Sequence, residues 1–180
     1  MKAELRKRAK NILLSLDEDT IEKLDNSLSA NLFEQLNQHS NVKTLGVFSP
    51  LKREPKWYQA DEWPSNYKFS LPHIINEEEM KFYIVSFEEI STGNIGLELD
   101  EECLTDEVVP DALVIPGLAF TKNLERLGRG KGYFDRYLSC FKGLKIGVCF
   151  ESQIFESIVT DKHDIRMDLL ITDKNIYKKG

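Results

Sequence analysis

ALVIPG, at Ala112–Gly117, holds four consecutive apolar residues that stop at a Pro-Gly pair. A strand with one wet face alternates apolar and polar residues, whereas an unbroken apolar run suits a strand covered on both faces at the centre of a parallel sheet. IGVC within LKIGVCF (Leu144–Phe150) and LLI within MDLLIT (Met167–Thr172) repeat the pattern. TLGVFSP (Thr44–Pro50), YKFSLP (Tyr67–Pro72) and KFYIVSF (Lys81–Phe87) add shorter runs. Five or six strands are expected, several of them separated by helical stretches. That pattern specifies an α/β class: a single three-layer α/β/α domain with a mostly parallel, Rossmann-like central sheet, spanning residues 1–180.

Upstream, Ala3, Leu5, Ala9, Ile12 and Leu13 fall at helical spacing from Lys2 to about Leu14. SLDE reads as a capping box, with Ser15 capping and Glu18 reaching back. A second helix follows, striped by Ile21, Leu24, Leu28, Leu32 and Leu36 and ending near Ser40. The chain of 180 residues is 41% hydrophobic, enough for one real core. Its net charge of -6 argues against nucleic-acid or membrane partners, which select basic surfaces. Cys103, Cys140 and Cys149 are three in number and lack a CxxC pair, so neither a disulfide framework nor a zinc site is expected. A cytoplasmic location is expected, since no leader-like segment is seen and the apolar runs are too short to cross a bilayer, and a monomer is the expected state.

The chemistry concentrates in RLGRGKGYFDRYL, Arg126–Leu138. Tyr133, Tyr137 and Phe141 recur at helical spacing, so Gly128, Gly130 and Gly132 lie at the mouth of a helix, reached by a loop through GLAFTKNLE. Unpaired amides and the positive end of the helix dipole make such a mouth an anion site. Alternate glycines let the backbone close on a phosphate, and Arg126, Arg129 and Lys131 supply counter-charge. The stretch is neither a Walker-type loop nor a dinucleotide fingerprint. Asp135, in the first helical turn, suits either the dipole or a hard cation bridging phosphate oxygens. Trp57, Tyr58 and Trp63 are read as core rather than ligand platforms, His163 as a surface residue, and Asp168 as structural.

VIPGLAF, RLGRGKGYFDRYL and HDIRMDLLIT together resemble the signature segments of the 5-formyltetrahydrofolate cyclo-ligase family. MKAELRKR is similar to its N-terminal Lys-x-x-x-Arg helix, and FSPLKRE to its substrate-loop segment. The resemblance implies an enzyme that uses Mg-ATP to convert 5-formyltetrahydrofolate into 5,10-methenyltetrahydrofolate, releasing ADP and phosphate. It implies ATP contacts from Lys2, Arg6 and the run Arg126, Leu127, Gly128, Arg129, Gly130, Lys131, Gly132, Tyr133 and Phe134. Arg126, Arg129 and Lys131 would face the moving phosphoryl group, and Asp135 and Asp164 would share Mg2+, in one cleft if MDLLIT lies beside ALVIP in the sheet. Ser49 and Glu54 would contact the folate, with Arg129, Gly130, Lys131, Gly132 and Tyr133 between the two substrates. Two positions depart from the family pattern: Thr121 replaces an aspartate, and Leu124 replaces a glycine, which suggests a differently shaped turn. Residues 94–102, NIGLELDEE, match the pattern poorly. These departures sustain a rival reading, a non-catalytic nucleotide- or folate-binding paralogue. A sugar-phosphate isomerase or CoA-transferase would need an acid/base pair that the sequence does not mark.

Overall fold

The computed structural model describes residues 1–60, 63, 67–92 and 104–179. The NIGLELDEE stretch and Cys103 lie outside them. Two helices open the chain, α1 (Lys2–Ser15) and α2 (Glu18–Asn37). The expected capping box is corrected. Ser15 is still helical, and its hydroxyl donates to the Ile12 carbonyl at 2.7 Å. Asp17 caps α2 instead: its extended backbone (φ -79°, ψ 164°) turns the carboxylate onto the Thr20 amide at 2.8 Å. That hydrogen bond holds the Asp17 carboxyl below its ordinary range.

The strands, with two further helices, are β1 (Thr44–Gly46), β2 (Lys68–Ile74), β3 (Met80–Val85), α3 (Phe87–Ser91), β4 (Glu107–Val108), β5 (Ala112–Pro116), β6 (Ala119–Thr121), β7 (Arg126–Leu127), α4 (Tyr133–Cys140), β8 (Leu144–Val148), β9 (Ile154–Phe155), β10 (Leu169–Ile171) and β11 (Ile176–Lys178). Among the described residues eight strands form one sheet in the order β11-β10-β8-β5-β1-β2-β3-β4. The five from β10 to β2 are parallel, and β11, β3 and β4 each join through antiparallel pairing. All six expected strand runs are present. The segment GLAFTKNLE, expected as a loop, instead contributes β6, which pairs with β7 and β9 in a small second sheet. One further expectation is corrected: β8 separates β10 from β5, so MDLLIT is not the neighbour of ALVIP.

Successive residues of a strand point to opposite faces, and β5 shows why its run has no polar member. Ala112 and Val114 pack with Leu28, Leu32 and Leu36 of α2. Leu113 and Ile115 pack with Leu138 of α4, Phe120 and Phe141. Helices therefore cover both faces, as the apolar run required. Trp57 and Trp63 are fully buried in the α2 layer, consistent with their reading as core. The third cluster fixes α1: Ala9 packs on Leu118, Ala119, Leu127 and Phe155 of the small sheet and its approaches. This seating carries the first turns of α1 to the glycine loop.

Candidate functional site

The site lies beyond the carboxyl end of β5, where open α/β sheets place ligands. The chain leaves β5 at Pro116, makes the β6–β7 hairpin and returns through Arg126 into the loop Gly128–Gly132. Gly130 (φ 107°) and Gly132 (φ 74°) occupy backbone conformations that side chains disfavour. Gly132 is the residue preceding α4, and among the described residues no side chain caps the helix. The mouth of α4 thus presents its first amides without a side-chain competitor.

Basic side chains converge on this loop from two directions. From α1, Arg6 donates its Nε to the Gly128 carbonyl at 2.9 Å, and its guanidinium sits 3.4 Å from where a Cβ on Gly130 would stand. Lys2, one turn earlier, donates to Asp161 at 2.6 Å and Asp164 at 2.8 Å. From beneath, Arg126 is only 8% exposed. Its Nη2 reaches Asp135 Oδ1 at 2.7 Å, its Nη1 the Pro116 carbonyl at 3.2 Å, and its Nε has no hydrogen-bond partner among the described residues. A Cβ on Gly128 would stand 3.0 Å from Arg126 Nη1, so that glycine makes room for the guanidinium. Arg126 therefore underpins the loop, whereas Arg129 and Lys131 are exposed upon it. Leu127 is buried in the α1 cluster, and its carbonyl accepts from the Leu118 amide. Tyr133 and Phe134 are half-buried along the α4 core.

The FSPLKRE segment reaches the same loop. Arg129 Nε donates to Glu54 Oε1 at 2.9 Å, and Glu54 Oε2 accepts from the Leu51 amide at 2.9 Å. Glu54 is 7% exposed. Ser49 is partly buried nearby in sequence, with no hydrogen-bond partner for its hydroxyl among the described residues. Arg53, which sequence reasoning passed over, holds a left-handed backbone (φ 68°) and donates to the Leu13 and Leu16 carbonyls, closing the C-terminal end of α1.

Asp135 and Asp164 flank Arg126. Burial raises the Asp164 carboxyl, but hydrogen bonds from Lys2 and the Asp161 amide, with the charges of Lys2 and Arg126, outweigh it and hold it below its ordinary range. Burial likewise pulls Lys2 down, and its bonds to Asp161 and Asp164 lift it above its ordinary range. Among the described residues no cluster of three or more acidic, histidine or cysteine ligands is present. Two carboxylates, each already facing a cation, nevertheless match Mg2+, which takes one or two carboxylates and fills its octahedron with phosphate and water. Asp161 is a further acidic residue that the sequence reading missed; its spacing of three from Asp164 was the available signal. His163 is exposed, and Asp168 pairs with Lys145 at 2.9 Å, both as expected.

The two departures have physical explanations. Leu124 takes φ 67°, a left-handed backbone that glycine adopts more readily than leucine. Its side chain is buried in the α4 core, and its carbonyl accepts from the Met167 amide at 2.9 Å. Thr121 is buried, and its hydroxyl donates to Glu125 Oε2 at 3.0 Å and accepts from the Glu125 amide at 3.3 Å. The threonine closes the hairpin through its hydroxyl, and the Glu125 carboxylate in turn meets Arg166 at 2.8 Å.

The profile of the 5-formyltetrahydrofolate cyclo-ligase family matches residues 1–173. A 5-formyltetrahydrofolate cyclo-ligase of Mycoplasma genitalium is 32% identical over 155 residues, covering 82% of this chain and 83% of that protein. The mouse protein of the same name is 28% identical, over 73% of this chain and 74% of its own. Among solved structures, the NMR structure of Aquifex aeolicus 5,10-methenyltetrahydrofolate synthetase superposes with a TM-score of 0.80 at 30% identity, covering 98% of this chain and 92% of that one. The 5,10-methenyltetrahydrofolate synthetase of Mycoplasma pneumoniae superposes with a TM-score of 0.77 at 26% identity, covering 96% of this chain and 99% of that one. With the loop, the α1 cations and the mixed sheet in place, and with this match along nearly its whole length, the chain belongs to the 5-formyltetrahydrofolate cyclo-ligase family.

Proposed function

We propose that this protein uses ATP to convert 5-formyltetrahydrofolate into 5,10-methenyltetrahydrofolate, with release of ADP and phosphate. The observation that carries the proposal is the convergence on one glycine loop of Arg6 from α1, Arg126 from beneath, and Glu54 from the FSPLKRE segment, with Lys2 of the same helix paired to Asp164.

An N-formyl group is a poor electrophile. Transfer of the γ-phosphoryl group to the formyl oxygen expels ADP and makes the formyl carbon reactive. N10 of the same folate then attacks that carbon, loses its proton and closes the ring, and the formyl oxygen departs within phosphate. Such a transfer asks for in-line placement and cations aimed at the phosphoryl oxygens rather than a protein nucleophile. Arg129 and Lys131, exposed on the loop, are assigned to the phosphoryl oxygens, and the amides at the mouth of α4 to the phosphate chain. Arg126 fixes Asp135 and supports the loop from within. Lys2 and Arg6 hold α1 against the nucleotide. Asp135 and Asp164 would hold Mg2+, which when bound draws charge from the phosphate oxygens. Ser49 and Glu54 face the folate.

The test is the appearance of methenyltetrahydrofolate absorbance from 5-formyltetrahydrofolate. Formation with Mg-ATP and none without it is expected. Folded protein that binds both ligands without forming product would establish the binding paralogue instead.

A further inference from the structure

Arg136 follows Asp135 in α4, and its guanidinium bridges two segments that lie far apart in the chain. Its Nη2 donates to the Lys131 carbonyl at 3.2 Å and to the Glu77 carbonyl at 2.9 Å, and its Nε to the Glu78 carbonyl at 3.2 Å. Lys131 belongs to the glycine loop, whereas Glu77 and Glu78 lie in the turn between β2 and β3. Arginine suits this task, because its planar fork holds several donors in fixed directions while a lysine offers one mobile point charge. The guanidinium also lies over the Tyr133 ring, 4.9 Å from its centre. A Cβ on Gly132 would stand 2.9 Å from Arg136 Nη1, so that glycine makes room for the bridge besides supplying a left-handed backbone.

The two ends of the bridge differ in stiffness. On the hairpin side, β2 and β3 pair in register from Phe69 opposite Val85 to Ile74 opposite Met80. Asn76 Oδ1 fastens the turn by accepting from the Glu78 amide at 2.9 Å and the Glu79 amide at 3.0 Å. Phe82 of β3 packs on Tyr137 of α4 with ring centres 5.0 Å apart, which fixes the hairpin to the helix. On the loop side, Lys131 sits between two glycines at φ 107° and 74°, where the backbone has the most freedom to lose. Among the described residues, the bond from Arg136 to its carbonyl is the one hydrogen bond that Lys131 makes.

We propose that Arg136 is a positioning residue: it ties the Lys131 backbone to the β2–β3 turn and so aims the Lys131 ammonium at the transferring phosphoryl group. The inference rests on the phosphoryl role proposed for Lys131. A cation already held in place stabilises a transition state more than one that must first be ordered, and a misplacement of about 1 Å can cost about a hundredfold in rate.

The experiment combines steady-state kinetics of methenyltetrahydrofolate formation with 15N order parameters of Gly130 and Gly132. Arg136→Ala is expected to lower kcat about tenfold, with KM for ATP within about threefold and, since Arg136 is exposed, a melting temperature within about 3 °C of the parent. The two glycine order parameters should fall from the rigid range near ~0.85 toward ~0.6. Arg136→Lys keeps the charge without the fork and should stay within about twofold of Arg136→Ala. In a Lys131→Ala background, Arg136→Ala should cost less than about twofold, because a residue that acts through another has nothing left to act on. Asn76→Ala loosens the turn with Arg136 in place, so it should lower kcat about threefold in the parent and not at all beside Arg136→Ala. Full recovery by Arg136→Lys overturns the inference in favour of simple charge. Penalties at Arg136 and Lys131 that multiply, a loss confined to KM, or unchanged glycine order parameters overturn it as well. A parent that forms no product overturns the proposed function, and the aim of Lys131 with it, while the tie itself still stands or falls on the order parameters.

Discussion

Leu124 and Lys131 show two kinds of residue that a glycine-rich signature conceals. Leu124 combines a left-handed backbone with a buried side chain. Leu124→Gly relieves about 1 kcal/mol of backbone strain but opens a cavity worth about 2–5 kcal/mol. The net expectation is destabilisation by about 2 kcal/mol in urea unfolding, so an unchanged midpoint would show that the leucine contributes no packing. Lys131, exposed between Gly130 and Gly132, has no side-chain partner among the described residues. Lys131→Ala should leave stability within about 0.5 kcal/mol and lower kcat/KM about a hundredfold, the usual loss for a preorganised donor to a transferring group. A loss below threefold would remove Lys131 from the mechanism. At this scale the loop was legible because left-handed positions ask for glycine and phosphate asks for cations. The pairs Lys2 with Asp164 and Glu54 with Arg129 were not, because they join residues 162 and 75 positions apart. Nothing local in the sequence distinguishes a paired carboxylate from a solvated one.

Elements bring those distant residues together, and α1 is the clearest case. Asp164 is held below its ordinary carboxyl range, so its contribution to stability is present above the unfolded value near 3.8 and lost as pH falls toward the folded value. Lys2 is raised above 10.5, so its part is present below that value and lost only in strong base. The clamp is therefore intact at neutral pH and opens in acid. Protection of the α1 amides against exchange, relative to the intrinsic rate at each pH, should fall in the parent as the pH drops below 3.8, and Asp164→Asn should show the low protection already at pH 6. Slow exchange in that variant would mean the helix is held by Ala9 and its neighbours alone. The Glu54–Arg129 bridge has a comparable consequence. Because Glu54 seats a residue of the nucleotide loop, Glu54→Gln should weaken both folate and ATP analogue, the folate by about tenfold and the nucleotide by about threefold. An unaltered nucleotide affinity would show that Arg129 needs no support from Glu54. Long periodic helices and unbroken strand runs were readable. Strands of two or three residues such as β6, β7 and β9 were not, since so few residues carry no periodicity.

Across the whole molecule, the continuous apolar runs at β5, β8 and β10 foretold a sheet covered on both faces, and α2 and α4 provide that cover. Strand order is another matter: β8 stands between β5 and β10, an arrangement that run composition cannot distinguish from its alternatives. The order still serves the site, because the parallel strands end on one side and their loops meet there. What the assembled cleft is proposed to do is phosphorylate a formyl oxygen so that the ring can close. The most direct test supplies 5-formyltetrahydrofolate carrying 18O in its formyl group together with Mg-ATP, and follows the oxygen by mass spectrometry of the released phosphate. Activation by phosphoryl transfer predicts one labelled phosphate for each methenyltetrahydrofolate formed. Unlabelled phosphate, or ring closure without any phosphate release, would contradict it.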